Sequence, residues 1–76
     1  MQAEVKVYPN PASRIIYIDA PVAVNIAVRD IAGRTLLVRE NVKQLDLGDL
    51  ADGVYMIFVS DSNGRLLKTE KLFKSE

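Results

Sequence analysis

The sequence predicts an all-β fold, a two-layer sandwich of about seven short antiparallel strands. Three observations carry this expectation. Apolar residues recur at alternate positions, as at Val24, Ile26 and Val28, the period of a half-buried strand. Gly, Pro, Asn and Asp break these runs at short intervals, where turns fall. No segment between two runs is long enough and helical enough to be the crossover that a parallel sheet requires. A sandwich therefore fits better than an α/β sheet.

The strands follow in order. Glu4 to Tyr8 alternates, with Val5 and Val7 on one face. Pro9 and Pro11 end it, because neither has an N–H for a ladder. Arg14 to Asp19 is second, with Ile16 and Ile18 inward, and Ala20-Pro21 turns the chain. Ala23 to Arg29 turns Val24, Ile26 and Val28 inward and Asn25 and Arg29 outward. Thr35 to Arg39 returns with Leu36 and Val38 inward. Lys43 to Leu47 is short, with Leu45 and Leu47 inward. Gly48 to Gly53 has room for at most one helical turn. Val54 to Ser60 is apolar on both faces, and Arg65 to Phe73 is the last strand.

Composition narrows the functions. The 76 residues suit one domain, folded from about residue 4 to residue 74 within 1–76. A chain of this length buries only roughly 60–65% of its unfolded surface, so its core is small. Ten basic and ten acidic residues cancel, which leaves no electrostatic footprint for nucleic acid or anionic lipid. There is no Cys, His or Trp. A Ser-His-Asp site is thereby excluded, along with thiolate and imidazole metal ligands. No enzyme activity and no cofactor are expected. Asp46, Asp49 and Asp52 lack the ligand series of a calcium loop, as does Asp61-Ser-Asn63-Gly64. Turn formation explains them better. The opening MQAEVKVY has no basic-then-apolar export signal. If the domain is exported, its address lies upstream on a longer parent, and Met1 is a start residue added to a fragment.

One internal echo stands out. Val28 to Leu36 and Val59 to Leu67 share a VxDxxGRxL frame. Two hairpins built alike explain it. Asp30 and Asp61 accept backbone N–H bonds as each turn opens, and Gly33 and Gly64 take positive φ. Arg34 and Arg65 follow. A duplicated binding site is the alternative.

Three signals stand in fixed order: Tyr8-Pro9-Asn10-Pro11, then Asp30-x-x-Gly33-Arg34, then Leu50-Ala-Asp-Gly53-Val-Tyr55. A basic, apolar ending follows, Lys71-Leu72-Phe73-Lys74. From about Val7 to Lys74 the chain resembles the type A C-terminal sorting domain of type IX secretion, found on secreted proteins of Bacteroidetes. The resemblance implies an immunoglobulin-like sandwich serving as a secretion signal. It implies a larger parent that crosses the inner membrane by its own signal, transits the periplasm, and is recognised by outer-membrane type IX components. It further implies removal of the domain by a sortase-like peptidase and anchoring of the cargo at the cell surface. The cleavage point then lies before the folded domain or within the first few residues. Either Lys71 or Lys74 corresponds to the family's terminal Lys, since Ser75-Glu76 follow.

The residues themselves suggest where such a signal resides. Tyr8-Pro9-Asn10-Pro11 is a stiff corner, because residues before Pro are restricted. It either terminates an edge strand or presents a rigid feature to a receptor. Gly53 permits a turn or a close backbone approach. Tyr55 shares its face with Ile57 and Val59 and is expected in the core with a bonded hydroxyl. Met56 and Phe58 face the other way, and simple alternation sets Leu66 and Leu72 beside them, with Lys68 and Glu70 between. That second apolar face is surplus for a sandwich and marks a docking or self-association surface, unless a sheet covers it or a bulge resets the phase. Edge or terminal strands offer a further route to a homodimer. The competing reading is an immunoglobulin-like or fibronectin-like accessory module that binds carbohydrate or spaces domains.

Overall fold

Seven strands form two antiparallel sheets in the computed structural model, which describes residues 4–76. Met1, read as a start residue added to a fragment, and any cleavage point in the first three residues lie outside the described residues. The strands are β1 (Lys6–Tyr8), β2 (Ile15–Asp19), β3 (Val24–Asp30), β4 (Thr35–Arg39), β5 (Gln44–Asp46), β6 (Gly53–Asp61) and β7 (Leu66–Lys74). One sheet has the order β1-β2-β5, the other β4-β3-β6-β7. In immunoglobulin lettering this is A-B-E packed against C′-C-F-G. Among the described residues there is no helix.

The alternating residues meet between the layers. Val7, Ile16, Ile18 and Leu45 come from the three-stranded sheet. Val24, Ile26, Val28, Ile57, Val59 and Leu72 come from the other. Val5, Ala12, Leu47 and Tyr55 complete the cluster. Tyr55 lies early in β6, and its hydroxyl donates to the Ala51 carbonyl in the preceding loop. This is the tyrosine corner of immunoglobulin-like sandwiches, in which a strand-F tyrosine bonds back to backbone just upstream.

Two hairpins repeat one geometry, as the sequence echo implies. Asp30 Oδ1 accepts from Ala32 N–H at 3.0 Å and Arg34 N–H at 2.9 Å. Asp61 Oδ1 accepts from Asn63 and Arg65 N–H, both at 2.9 Å. Gly33 has φ 90° and Gly64 has φ 85°, so each closes its loop in the left-handed region. Both hairpins also carry a bulge at the same place. Arg29 pairs with Thr35 and Val28 with Leu37, so Leu36 has no partner. Ser60 pairs with Leu66 and Val59 with Lys68, so Leu67 has none.

These bulges correct two expectations. Leu36 and Val38 were to face inward; they are 38% and 53% exposed, and Leu37 packs on the core. Leu72 was to lie beside Met56 and Phe58. It pairs with Tyr55 and is fully buried, while Phe73 pairs with Val54 on the opposite face and is 46% exposed. In both strands one extra residue flips every later side chain to the other face. The same shift turns Lys68 and Glu70 inward, opposite Val59 and Ile57. One carboxylate oxygen of Glu70 is buried there without a hydrogen-bond partner. The close backbone approach offered for Gly53 is not found. A Cβ there would meet nothing within 4 Å, and what sets the residue apart is its φ of 155°.

Candidate recognition surface

The corner, the loop before β6 and the last strand come together at one end of the sandwich. β1 stops at Tyr8 because Pro9 and Pro11 cannot donate to a ladder. The chain then crosses from the three-stranded sheet to the free edge of β7. Asn10 behaves there like a peptide group. Its Nδ2 donates to the Lys71 carbonyl at 2.9 Å, and its Oδ1 accepts from Phe73 N–H at 3.1 Å. Ala12 continues the pairing as a parallel bridge to Lys74. Ala12 N–H donates to Phe73 C=O at 2.8 Å, and Ser75 N–H donates to Ala12 C=O at 2.9 Å. The Pro-Asn-Pro corner therefore clamps the terminal strand, and the open outer edge of β7 is reduced to its first half. Replacing Asn10 by Ala removes two solvent-exposed hydrogen bonds. The expected cost is about 1–2 kcal/mol in urea unfolding. Hydrogen exchange should quicken at Phe73 N–H and not in β3.

Tyr8 and Tyr17 pair directly across β1 and β2, and their rings stack with centroids 5.7 Å apart. Both are exposed. Tyr17 was not singled out by the sequence motifs. Its signal was present, because it alternates with the core residues Ile16 and Ile18.

The two terminal lysines differ in placement. Lys74 is buried, with Nζ 3.1 Å from Glu76 Oε1 and 3.6 Å from Asp52 Oδ1. The Glu76 hydrogen bond, chiefly, raises its pKa. Glu76 N–H also donates to Asp52 Oδ1 at 3.2 Å. Lys71 is exposed, with Nζ 5.4 Å from the centre of the Phe73 ring.

The aspartates have local partners. Arg14 and Asp46 meet at 3.1 Å, and Gly48 N–H donates to Asp46 Oδ1 at 2.8 Å. Arg34 Nε meets Asp30 Oδ2 at 2.8 Å. The Arg34 backbone N–H, foremost, holds the Asp30 carboxyl below its ordinary 3.8, and the Arg14 side chain does the same for Asp46. Groups lowered on folding contribute stability above their ordinary pKa and lose it as pH falls through the folded value. The melting temperature should thus fall below about pH 4. Asp30→Asn with Asp46→Asn should flatten that limb. Among the described residues, no group of three or more carboxylates could hold a metal ion.

The outer face of the four-stranded sheet carries the apolar residues Val54, Met56 and Phe58, as the surplus of β6 implied. The three-stranded sheet covers only the other side. Register places Val54, Met56 and Phe58 of β6 outward with Ala27 and Arg29 of β3. Lys71 and Phe73 of β7 join them. Val38 sits opposite Ala27. Met56 and Phe58 are half-buried by their neighbours, and Leu66, which pairs with Ser60, is 55% exposed. The Arg29 guanidinium lies 5.1 Å from the Phe58 ring centre. Of the candidate residues, then, Tyr8, Pro9, Asn10, Pro11, Leu66, Lys71 and Phe73 reach solvent, while Leu72 and Lys74 are buried.

Comparison with known families gives one match. Residues 6–75 match the family described as "Secretion system C-terminal sorting domain". No curated protein and no solved structure matches the chain.

Proposed function

The chain belongs to the type IX secretion C-terminal sorting domain family, and on that premise we propose that it acts as a folded recognition tag that is removed after use. The family's role is to direct a secreted protein across the outer membrane, to the cell surface or beyond. The observation that carries the reading is the clamp between the Pro-Asn-Pro corner and β7. It joins the first and last family elements into one rigid end, so that the tag is legible only when the domain is folded. The parent passes through the periplasm with the domain folded. Outer-membrane components engage that end, and a sortase-like peptidase then cuts ahead of β1 and transfers the cargo to a surface anchor. Of the two lysines, we assign Lys74 to the family's terminal position, because its buried pairing with Asp52 ties the strand end to the Leu50–Tyr55 element.

The test is the fate of a fused cargo. A reporter bearing an N-terminal export signal and this domain should appear at the surface of a type IX-competent host without the domain. Intact mass should place the cut before Lys6. Surface cargo that still carries residues 6–75 would contradict the proposed removal.

A further inference from the structure

The outer face of the β4-β3-β6-β7 sheet carries cations as well as apolar groups. Arg29 pairs with Met56, and Met56 with Lys71, so the three form one row across the sheet. Two strand spacings put the cations about 10 Å apart at their backbones. Each rests against a ring, Arg29 on Phe58 at 5.1 Å and Lys71 on Phe73 at 5.4 Å. Among the described residues neither makes an ion pair, although the chain is neutral overall. No Asp or Glu holds a paired position on this face.

We propose that this face docks an acidic, apolar segment of a protein partner in the export machinery, whose carboxylates meet Arg29 and Lys71 while its apolar side chains cover Met56, Phe58 and Phe73. The assignment rests on the sorting role and adds the chemistry of the partner. A second copy is the wrong occupant. Face-to-face pairing would bring two cationic rows together with no carboxylate to separate them. An anionic membrane is the wrong occupant too. Lipid-binding patches gather about four to eight basic residues, each contributing about 1 kcal/mol, and this row has only two cations. Cations held over rings are presented with little freedom left to lose, and they gain strength when desolvated. A carboxylate partner supplies that desolvation and the opposite charge together.

Charge reversal tests this. Arg29→Glu with Lys71→Glu, in a reporter fused to the full chain, should cut export by about tenfold or more, with the melting temperature of the purified chain held within a few degrees. Arg29→Lys with Lys71→Arg keeps both charges and should export well above the reversed chain. The neutral pair Arg29→Gln with Lys71→Gln supplies a second readout if the reversed chain unfolds; it should export at an intermediate level. The chain has no Cys. Thr69→Cys, beside Phe58, can therefore carry a benzophenone maleimide at one site. Irradiation with outer membranes of the exporting host should join it to a peptide rich in Asp or Glu and apolar residues. Parental export by the reversed or neutral chain would overturn the proposal. So would a joined peptide without carboxylates, one from a second copy, or a joined lipid. A chain ending at Lys71 keeps the two readings apart. If that truncation blocks export and charge reversal does not, only the docking proposal fails; if neither blocks it, the proposed recognition of the folded end fails with it.

Discussion

A fusion whose sorting domain stops at Lys71 should remain inside the cell envelope, with export of its reporter abolished. Residues 72–76 supply Leu72, which is fully buried, and Lys74, which is nearly so. They also supply Phe73 N–H and C=O and Ser75 N–H, the groups that hold Asn10 and Ala12. Losing Leu72 alone costs about 2–5 kcal/mol. A domain of this length has only about 4–11 kcal/mol in total. The truncated domain should therefore be largely unfolded, and the Pro-Asn-Pro corner should lose the strand it clamps. Cell fractionation checks export, and circular dichroism of the purified fragment checks the fold. Normal export of this fusion would separate recognition from the folded end altogether.

Leu72→Ala and Phe73→Ala should differ sharply although the residues are adjacent. Leu72→Ala opens a cavity opposite Tyr55 and should cost about 2–5 kcal/mol in urea unfolding. Phe73→Ala removes a ring from the outer face, where it is half exposed, and should cost within about 1 kcal/mol. The contrast depends on the bulge at Leu67. Without that extra residue the two would exchange faces, and Phe73→Ala would be the damaging change. It also bears on function. A Leu72 variant that fails to export fails through the fold, whereas a Phe73 variant reports on the outer face in a domain that is still folded.

The strands whose pattern alternates cleanly were legible in the sequence. Val5 and Val7, Ile16 and Ile18, Val24 to Val28, and Leu45 and Leu47 all face as their period requires. Tyr55 shares its face with Ile57 and Val59, as alternation along β6 implied, and that face is the buried one. The last half of each hairpin was not. Leu36-Leu37-Val38 and Leu66-Leu67 are apolar at consecutive positions, so alternation cannot set their phase, and one bulge decides it. The VxDxxGRxL frame revealed the shared turn but not the shared bulge that follows it. At the candidate site, the stiffness of the corner was readable from two prolines. The work done by Asn10 was not, because its partners Lys71 and Phe73 lie about sixty residues away and nothing local announces them. The unpartnered face was anticipated from Met56 and Phe58. Its cationic row was not, since Arg29, Met56 and Lys71 become neighbours only through the β3-β6-β7 register.

On the proposed function, the folded chain is by itself sufficient as the sorting signal. The most direct test of this is transfer. A periplasmic reporter with an N-terminal export signal is expressed in a type IX-competent Bacteroidetes host, with and without residues 1–76 at its C-terminus, and in the same host lacking the type IX translocon. Reporter is expected at the surface or in the medium only when both the domain and the translocon are present. Reporter retained in the periplasm despite a folded domain and a working translocon would contradict it.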